Sequence, residues 1–343
     1  MKVLCIVNGT SGKSYHRSYG PIRDLHIRGF VEGHVHFIMD EVGNYNPIPD
    51  LKQFDLITWC ESLGRIQQFV LGEIEKYDIP TIVDIDDHWM PNRYNPANAE
   101  YIQRGLWKAT QECVYKASAV IVENERLGSL VNKINRNWHI VQNALDLTAM
   151  QWNMPKIPSD KFRVGFVGSR SHRYDLLMIA DALREFSESG GVELHLCGYI
   201  PKDIEWIHAV NGIAPHGHPD WLKLHPAVHP NDYGMHYSQI DVSIAPLISN
   251  NFNAMKSDIK VKEAGAYCLP LIASDFGPYA NHESAGVYTA KRGKEWLELL
   301  HRAKAGELDG RPNAEYLQDT GCLHYVNNAR AEIYWSVCQA VTK

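Results

Sequence analysis

The chain has 343 residues, 45% of them apolar and 22% charged, with a formal net charge of −6. At roughly 150 residues per domain, that length suggests about two domains, each able to bury a core. The composition excludes disorder, collagen and coiled coil, and the acidic balance excludes a polycation that binds nucleic acid by bulk charge. The charge is evenly spread: residues 1–160 carry 16 Lys+Arg and 19 Asp+Glu, and the rest carry 18 and 21, a net of −3 for each half.

The seven cysteines are an odd number, widely spaced and without a CxxC pair, and several sit in apolar runs such as VLCIV. That pattern reads as reduced, buried cysteine in a cytoplasmic protein. The N-terminal run MKVLCIVNGT ends at a turn and reads as a strand rather than a signal peptide. No stretch approaches the ~18 uncharged apolar residues of a membrane span.

In chain order, the first half predicts strands at Lys2–Val7, His34–Met39, Asp55–Trp59, Thr81–Ile85, Ala119–Val122 and His139–Val141. Between them lie helix-like stretches at Gly64–Tyr77, Ala97–Lys116 and Asn124–Asn132. Residues 145–160 carry two prolines and no clean period, which suits a linker. Beyond it come the strands RVGFV, VELHLC, VSIAPL and LPLIAS, helices near 173–188, 258–267 and 293–304, and an amphipathic helix over Cys322–Thr342. Strands alternating with helices predict α/β architecture with parallel, doubly wound sheets. Ligands in such sheets bind beyond the carboxyl ends of the strands, so the loops there are the places for chemistry.

The loop after the first strand, Asn8-Gly9-Thr10-Ser11-Gly12-Lys13-Ser14, ends in GKS. A Walker A loop needs glycine at position 7, where the chain has Val7. The turn can still offer backbone N–H groups to an anion. The loop after Thr81–Ile85 reads Asp84-Ile85-Asp86-Asp87-His88-Trp89. Asp84-x-Asp86 suits a divalent cation held against a diphosphate. Asp87 or His88 suits an acceptor hydroxyl, and an Asp-rich turn or cap is the plain structural alternative.

Gly168-Ser169-Arg170-Ser171-His172-Arg173 opens a helix with two arginines in its first turn, against the helix dipole. An anion between them offsets that cost, because arginine binds phosphate bidentately. Lys256, Lys260 and Glu263 follow an Asn/Ser-rich loop at i, i+4, i+7 spacing and share one helix face. The paired histidines His34/His36 and His216/His218, with His225 and His229 near the second pair, lack a carboxylate or cysteine partner and make a poor zinc motif.

The stretch IDVSIAPLISNNFNAMKSDIKVKEAGAYCLPLIASDFGPY resembles the C-terminal domain of retaining GT-B glycosyltransferases of the family 4 type. FRVGFVGSRSHRYDL, SYHRSYGPIRDL and HIVQNALD are similar to other segments of that family, and DIDDHW to small, divergent members found in bacteriophage genomes. The resemblance implies two Rossmann-like domains facing a cleft. Residues 1–155 would form an acceptor-binding domain, joined by the helix 322–343, and 156–321 a nucleotide-sugar-binding domain.

The resemblance also implies roles. Gly9, Thr10, Gly168, Ser169, Arg170, Arg173, Asn253, Lys256, Ser257 and Glu263 would bind the donor, and Asp87 and His88 would meet the acceptor. Glu263 matches the second glutamate of the family's E-x7-E motif, the ribose ligand, while the first falls on Met255. The implied reaction is hexosyl transfer, glucose foremost, from a nucleoside-diphosphate sugar such as a UDP-sugar, with retention and without a metal or other cofactor. The implied acceptor is a glycan or a hydroxymethylated pyrimidine in double-stranded phage DNA, and the site of action the cytoplasm, that of the host if phage-encoded. DNA would need a basic patch, for which Arg17, Arg23, Arg28, Arg126, Lys133 and Arg136 are candidates. Strong membrane association is not expected. The alternatives are a metal-dependent GT-A enzyme using Asp84-x-Asp86 and a non-catalytic nucleotide-binding protein.

Overall fold

A computed structural model describes residues 1–40 and 42–341. Its twelve strands form two six-stranded sheets, all parallel. The first holds β1 (Lys2–Val7), β2 (Glu32–Phe37), β3 (Leu56–Cys60), β4 (Thr81–Ile85), β5 (Ala119–Val122) and β6 (Trp138–Ile140), in the order β2-β1-β3-β4-β5-β6. The second holds β7 (Phe162–Val167), β8 (Val192–Tyr199), β9 (Leu222–Pro226), β10 (Val242–Ala245), β11 (Leu271–Ser274) and β12 (Val287–Ala290), in the order β12-β11-β10-β7-β8-β9. These are two doubly wound halves, the GT-B architecture expected from the sequence.

Both faces of each sheet are covered, which is why the strands are nearly continuous apolar runs. In β1, Leu4 and Ile6 enter one core with Ile57, Trp59 and Val83, while Val3, Cys5 and Val7 enter another with Leu25, Ile82 and Tyr334. β9 and β12 are absent from the predicted strands. They are edge strands whose burial is partial, so their apolar signal is diluted. The predicted helix Ala97–Lys116 is two helices, Asn98–Gln103 and Leu106–Lys116, because Gly105 between them takes a left-handed φ of 63°.

The helical run after β1 has an α-turn at Gly12–Ser14, a π segment at Tyr15–Tyr19 and an α-helix over Gly20–Ile27. π-bulges mark sites where a helix re-aims its side chains. Here the bulge sends Arg17 inward. Its Nε donates to Asp84 at 2.6 Å, and its Nη1 donates to the Val141 carbonyl at 2.6 Å and to Asn143 Oδ1 at 3.2 Å.

The last helix, Leu323–Val341, returns to the first sheet, and Thr342 lies outside the described residues. Its Arg330 donates to the second oxygen of Asp84 at 2.9 Å, and its Asn327 donates to Asp24 at 2.8 Å. The chain leaves the first sheet and comes back at one point: Leu145 pairs with Cys322, with Leu145 N to Gly321 O at 2.8 Å and Leu323 N to Leu145 O at 2.9 Å.

Asp84, Arg17 and Arg330 are all buried. Removing one partner of such a group leaves uncompensated buried charge, at about 3–5 kcal/mol. Asp84→Ala should therefore lower unfolding stability by that order, read as a lower urea midpoint. An unchanged midpoint would show that the two arginines find other partners.

Candidate active site

The carboxyl ends of both sheets face a cleft holding a cavity of about 630 Å³. The first domain lines it with Thr10, Ser11, Gly12, Lys13, His16, Asp86, Asp87 and Asn143. The second lines it with Gly168, Ser169, Arg170, Ser171, His172, Tyr233, Lys256, Ser257, Lys260 and Glu263. Of the expected donor set, Thr10, Gly168, Ser169, Arg170, Lys256, Ser257 and Glu263 meet on this one surface.

Each arrives by an identifiable local device. The loop Gly168–Ser171 approaches Gly198 so closely that a Cβ there would lie 2.0 Å from the Gly168 carbonyl oxygen, and Gly198 has a φ of 100°. Only glycine fits both constraints. Arg170, about half exposed, ion-pairs through its guanidinium Nη1 with Asp203 at 2.8 Å. Glu263 is buried, and its Oε2 accepts from Lys260 Nζ at 2.6 Å and Tyr237 Oη at 2.5 Å. Lys256 reaches across the cleft to Asp87, Nζ to Oδ1 at 3.6 Å.

Four expected residues stand off this wall. Arg173 ion-pairs with Glu205 at 2.7 Å and stacks on the Tyr174 ring at 3.9 Å, so its charge is spent within its own domain. Asn253 is buried, and its Nδ2 donates to the Ile248 carbonyl at 2.9 Å, bracing the loop before Lys256. His88 turns away as a loop cap, its Nδ1 accepting from Met90 N at 2.9 Å. Gly9 precedes Thr10 in the loop without lining the cavity.

Met255 packs on the apolar core of the first domain. Its carbonyl accepts from Asn124 Nδ2 at 2.9 Å, and the Ala254 carbonyl accepts from Arg126 at 2.6 Å. Position 255 thus belongs to the seam between domains. A second seam contact is made by Lys262, fully buried, whose Nζ donates to the Asn143 carbonyl at 2.9 Å and to Gln142 at 3.2 Å.

The two carboxylates of Asp84-x-Asp86 are not presented together, since Asp86 lines the cleft and Asp84 does not. Asp84 is committed to two arginines, and no cluster of three or more candidate ligands is present among the described residues. His225 hydrogen-bonds His195 at 3.0 Å rather than forming part of such a cluster. Of the candidate basic patch, Arg23, Lys133 and Arg136 are exposed, and the other three are engaged. Arg17 is fully buried, Arg28 is used by Asp24, His324 and Asn328, and Arg126 caps the seam.

His16, Lys13 and Lys260 are among the cleft residues that the sequence did not single out as site residues, and Asp86 was singled out only as half of a cation-binding pair. The local signal for Lys260 was its shared face with Glu263. His16 reaches the cleft only through the π-bulge, which no spacing reveals. Burial and then the neighbouring Asp87 push the Asp86 carboxyl up to about 6, against the opposing pull of Arg17.

Residues 161–302 match the family model described as glycosyl transferases group 1. No protein of curated function matches the sequence. Among solved structures, a glycosyltransferase from Rickettsia africae ESF-5 superposes with a TM-score of 0.70 at 10% identity, covering 98% of this chain and 98% of that one. Anabaena Alr3699/HepE in complex with UDP-glucose superposes with a TM-score of 0.70 at 14% identity, covering 98% of this chain and 100% of that one. An α,α-trehalose-phosphate synthase (UDP-forming) from Burkholderia vietnamiensis gives a TM-score of 0.66 at 10% identity, with 98% and 100% covered. The fold is GT-B. Residues 161–302 are thus similar to glycosyl transferases group 1, and the whole chain shares its fold with the solved glycosyltransferases.

Gly198→Ala would strain φ and push the Gly168 loop out of register. Alanine at a positive-φ position that also clashes should destabilise by more than about 1 kcal/mol. The expected readout is a lower Tm together with weaker UDP binding. An unchanged Tm would show that the loop yields freely.

Proposed function

We propose that this chain is a retaining glycosyltransferase that moves a hexose, glucose foremost, from a UDP-sugar to an acceptor hydroxyl. The observation that carries this reading is the single cleft in which Arg170, Lys256, Lys260 and Glu263 face Thr10, Asp86 and Asp87 of the opposite domain. The solved Anabaena neighbour holds UDP-glucose.

In this reading the second domain binds the donor. Glu263 accepts from the ribose hydroxyls, and its place is fixed by Tyr237 and Lys260. Arg170, Lys256 and the backbone of the Gly168–Ser171 turn and of Thr10 face the diphosphate. Their task is electrostatic, since negative charge grows on the diphosphate as it departs. The bond between the anomeric carbon and the diphosphate oxygen breaks, and the acceptor oxygen bonds to the same face of that carbon. The acceptor proton passes to the departing phosphate. The transition state is oxocarbenium-like. No enzyme nucleophile and no metal are assigned.

The first domain binds the acceptor, beside Asp87. A glycan hydroxyl is the acceptor favoured here, because three of the six candidate DNA-contacting residues, Arg17, Arg28 and Arg126, are buried or engaged elsewhere.

The test is a donor-release assay over UDP- and GDP-sugars, with glycan acceptors and with and without hydroxymethylated duplex DNA. UDP release from UDP-glucose, stimulated by glycan and indifferent to that DNA, is expected. Stimulation by that DNA alone would move the acceptor to nucleic acid. Arg170→Ala and Glu263→Gln should each weaken UDP binding by about 10- to 100-fold, the range for a lost charged hydrogen bond. Unaltered UDP affinity in both would overturn the donor assignment.

A further inference from the structure

The carboxylates around the cleft are almost all neutralised. Asp84 lies between Arg17 and Arg330, at 2.6 and 2.9 Å. Glu61 pairs with Lys13 at 2.7 Å, Glu263 with Lys260 at 2.6 Å, and Asp87 with Lys256 at 3.6 Å. Glu123, behind the wall, takes Arg17 at 3.3 Å and the Asn143 N–H at 2.5 Å. Asp86 differs. It lines the cavity at the end of the central strand β4, and its hydrogen-bond partner is a neutral amide, Asn143 Nδ2 at 2.9 Å from Oδ1. Its other oxygen has no cation within ion-pair distance among the described residues.

An anion placed in a cleft without a cation seeks a hydrogen-bond donor. The opposite wall supplies the donor-diphosphate groups, and Asp86 stands on the domain that faces the sugar from the other side. A hydroxyl between the two walls hydrogen-bonds to the carboxylate and presents its lone pair to the anomeric carbon; as the new C–O bond forms, the carboxylate takes the proton and returns it to the departing phosphate.

We propose that Asp86, rather than Asp87 or His88, is the catalytic residue that orients the acceptor hydroxyl, and that Asn143 is its positioning residue. This rests on the donor reading above and deepens it. Asn143 suits the task because it is fixed on every side. Its Oδ1 accepts from Arg17 at 3.2 Å, its N–H donates to Glu123, and its carbonyl accepts from Lys262 of the second domain at 2.9 Å. The position of the Asp86 carboxyl is thereby coupled to the seam between domains.

The groups that face Asp86 are Asp87 on its own loop, Arg17 and Lys13 on the helical run after β1, Glu123 at the end of β5 and Cys60 at the end of β3. With a carboxyl raised to about 6, the accepting form is lost as pH falls through that value. The transfer rate therefore has an acid limb near it.

The test uses UDP-glucose with water as acceptor, read as UDP release over a pH series, with UDP affinity as the control for folding and donor binding. Wild type is expected to show the acid limb. Asp86→Asn should lower kcat about 10²-fold or more and abolish the limb while UDP affinity stays unchanged. Asn143→Ala removes a hydrogen bond that favours the charged form, so the limb should move to higher pH. His88→Ala should keep both the limb and most of kcat, whereas Asp87→Asn should move the limb to lower pH, because it removes the charge that helps raise the Asp86 carboxyl.

An Asp86→Asn enzyme that keeps kcat, or a limb that stays in place in both Asp86→Asn and Asn143→Ala, would overturn the proposal. So would a wild type that binds UDP-glucose and does not hydrolyse it. A wild type that binds neither UDP nor UDP-glucose would instead overturn the donor reading.

Discussion

The structure turns on one buried carboxylate. Asp84 holds a guanidinium on each oxygen, Arg17 from the helical run after β1 and Arg330 from the last helix. Three segments far apart in sequence are thus tied at a single point. A group of this kind stabilises little relative to an apolar core, but it tolerates no missing member. It also fixes where β4 ends, and the next two carboxylates, Asp86 and Asp87, inherit their positions from it. Arg17 extends the same network to Glu123, Val141 and Asn143, at the ends of β5 and β6.

The cleft is therefore built from two kinds of electrostatics. Behind the first-domain wall, charges are paired and dry. On the wall itself, charges are paired across open space, as Lys256 with Asp87, or left to a neutral amide, as Asp86 with Asn143. An ion pair across solvent at 3.6 Å is weak and is readily exchanged for a ligand. A buried pair is not. This division lets the wall exchange its partners without unsettling the scaffold beneath. Met255 and Lys262 sit at the boundary, where the second domain grips the first by backbone carbonyls and a buried ammonium.

Much of this was legible in the residues. β1, β4 and β5 fall on the predicted runs because continuous apolar stretches flanked by turn residues have few other solutions. Gly168, Ser169, Arg170, Lys256, Ser257 and Glu263 line the cleft as expected, since the loops at strand ends must face it in a doubly wound sheet. The misses have tertiary causes. Arg170 and Arg173 are each met by an acid from thirty-odd residues later, Asp203 and Glu205, but Arg170 stays exposed at the cleft and Arg173 does not. His88 sits in the right loop, yet the loop turns back on itself and spends the ring on Met90 N. The inward turn of Arg17 depends on a π segment, and no periodicity in YHRSY announces one. Asp86 was visible as an acid. What was hidden was that its neighbours would be neutralised and it would not.

Leu145 and Cys322 stand side by side, one where the chain departs from the first sheet and the other where it comes back. The whole second half is thus a detour between two adjoining points, stitched by a pair of backbone hydrogen bonds. Topologically it is a cassette inserted into a protein that is otherwise continuous through residues 145 and 322. Exchanging such a cassette breaks no strand order and leaves the arginine-clasped aspartate intact, because every member of that cluster lies outside it. The half that would carry donor choice and the half that would carry acceptor choice can then change on separate schedules, constrained where Lys262, the loop around Met255, Gln151 and Tyr174 touch the other side.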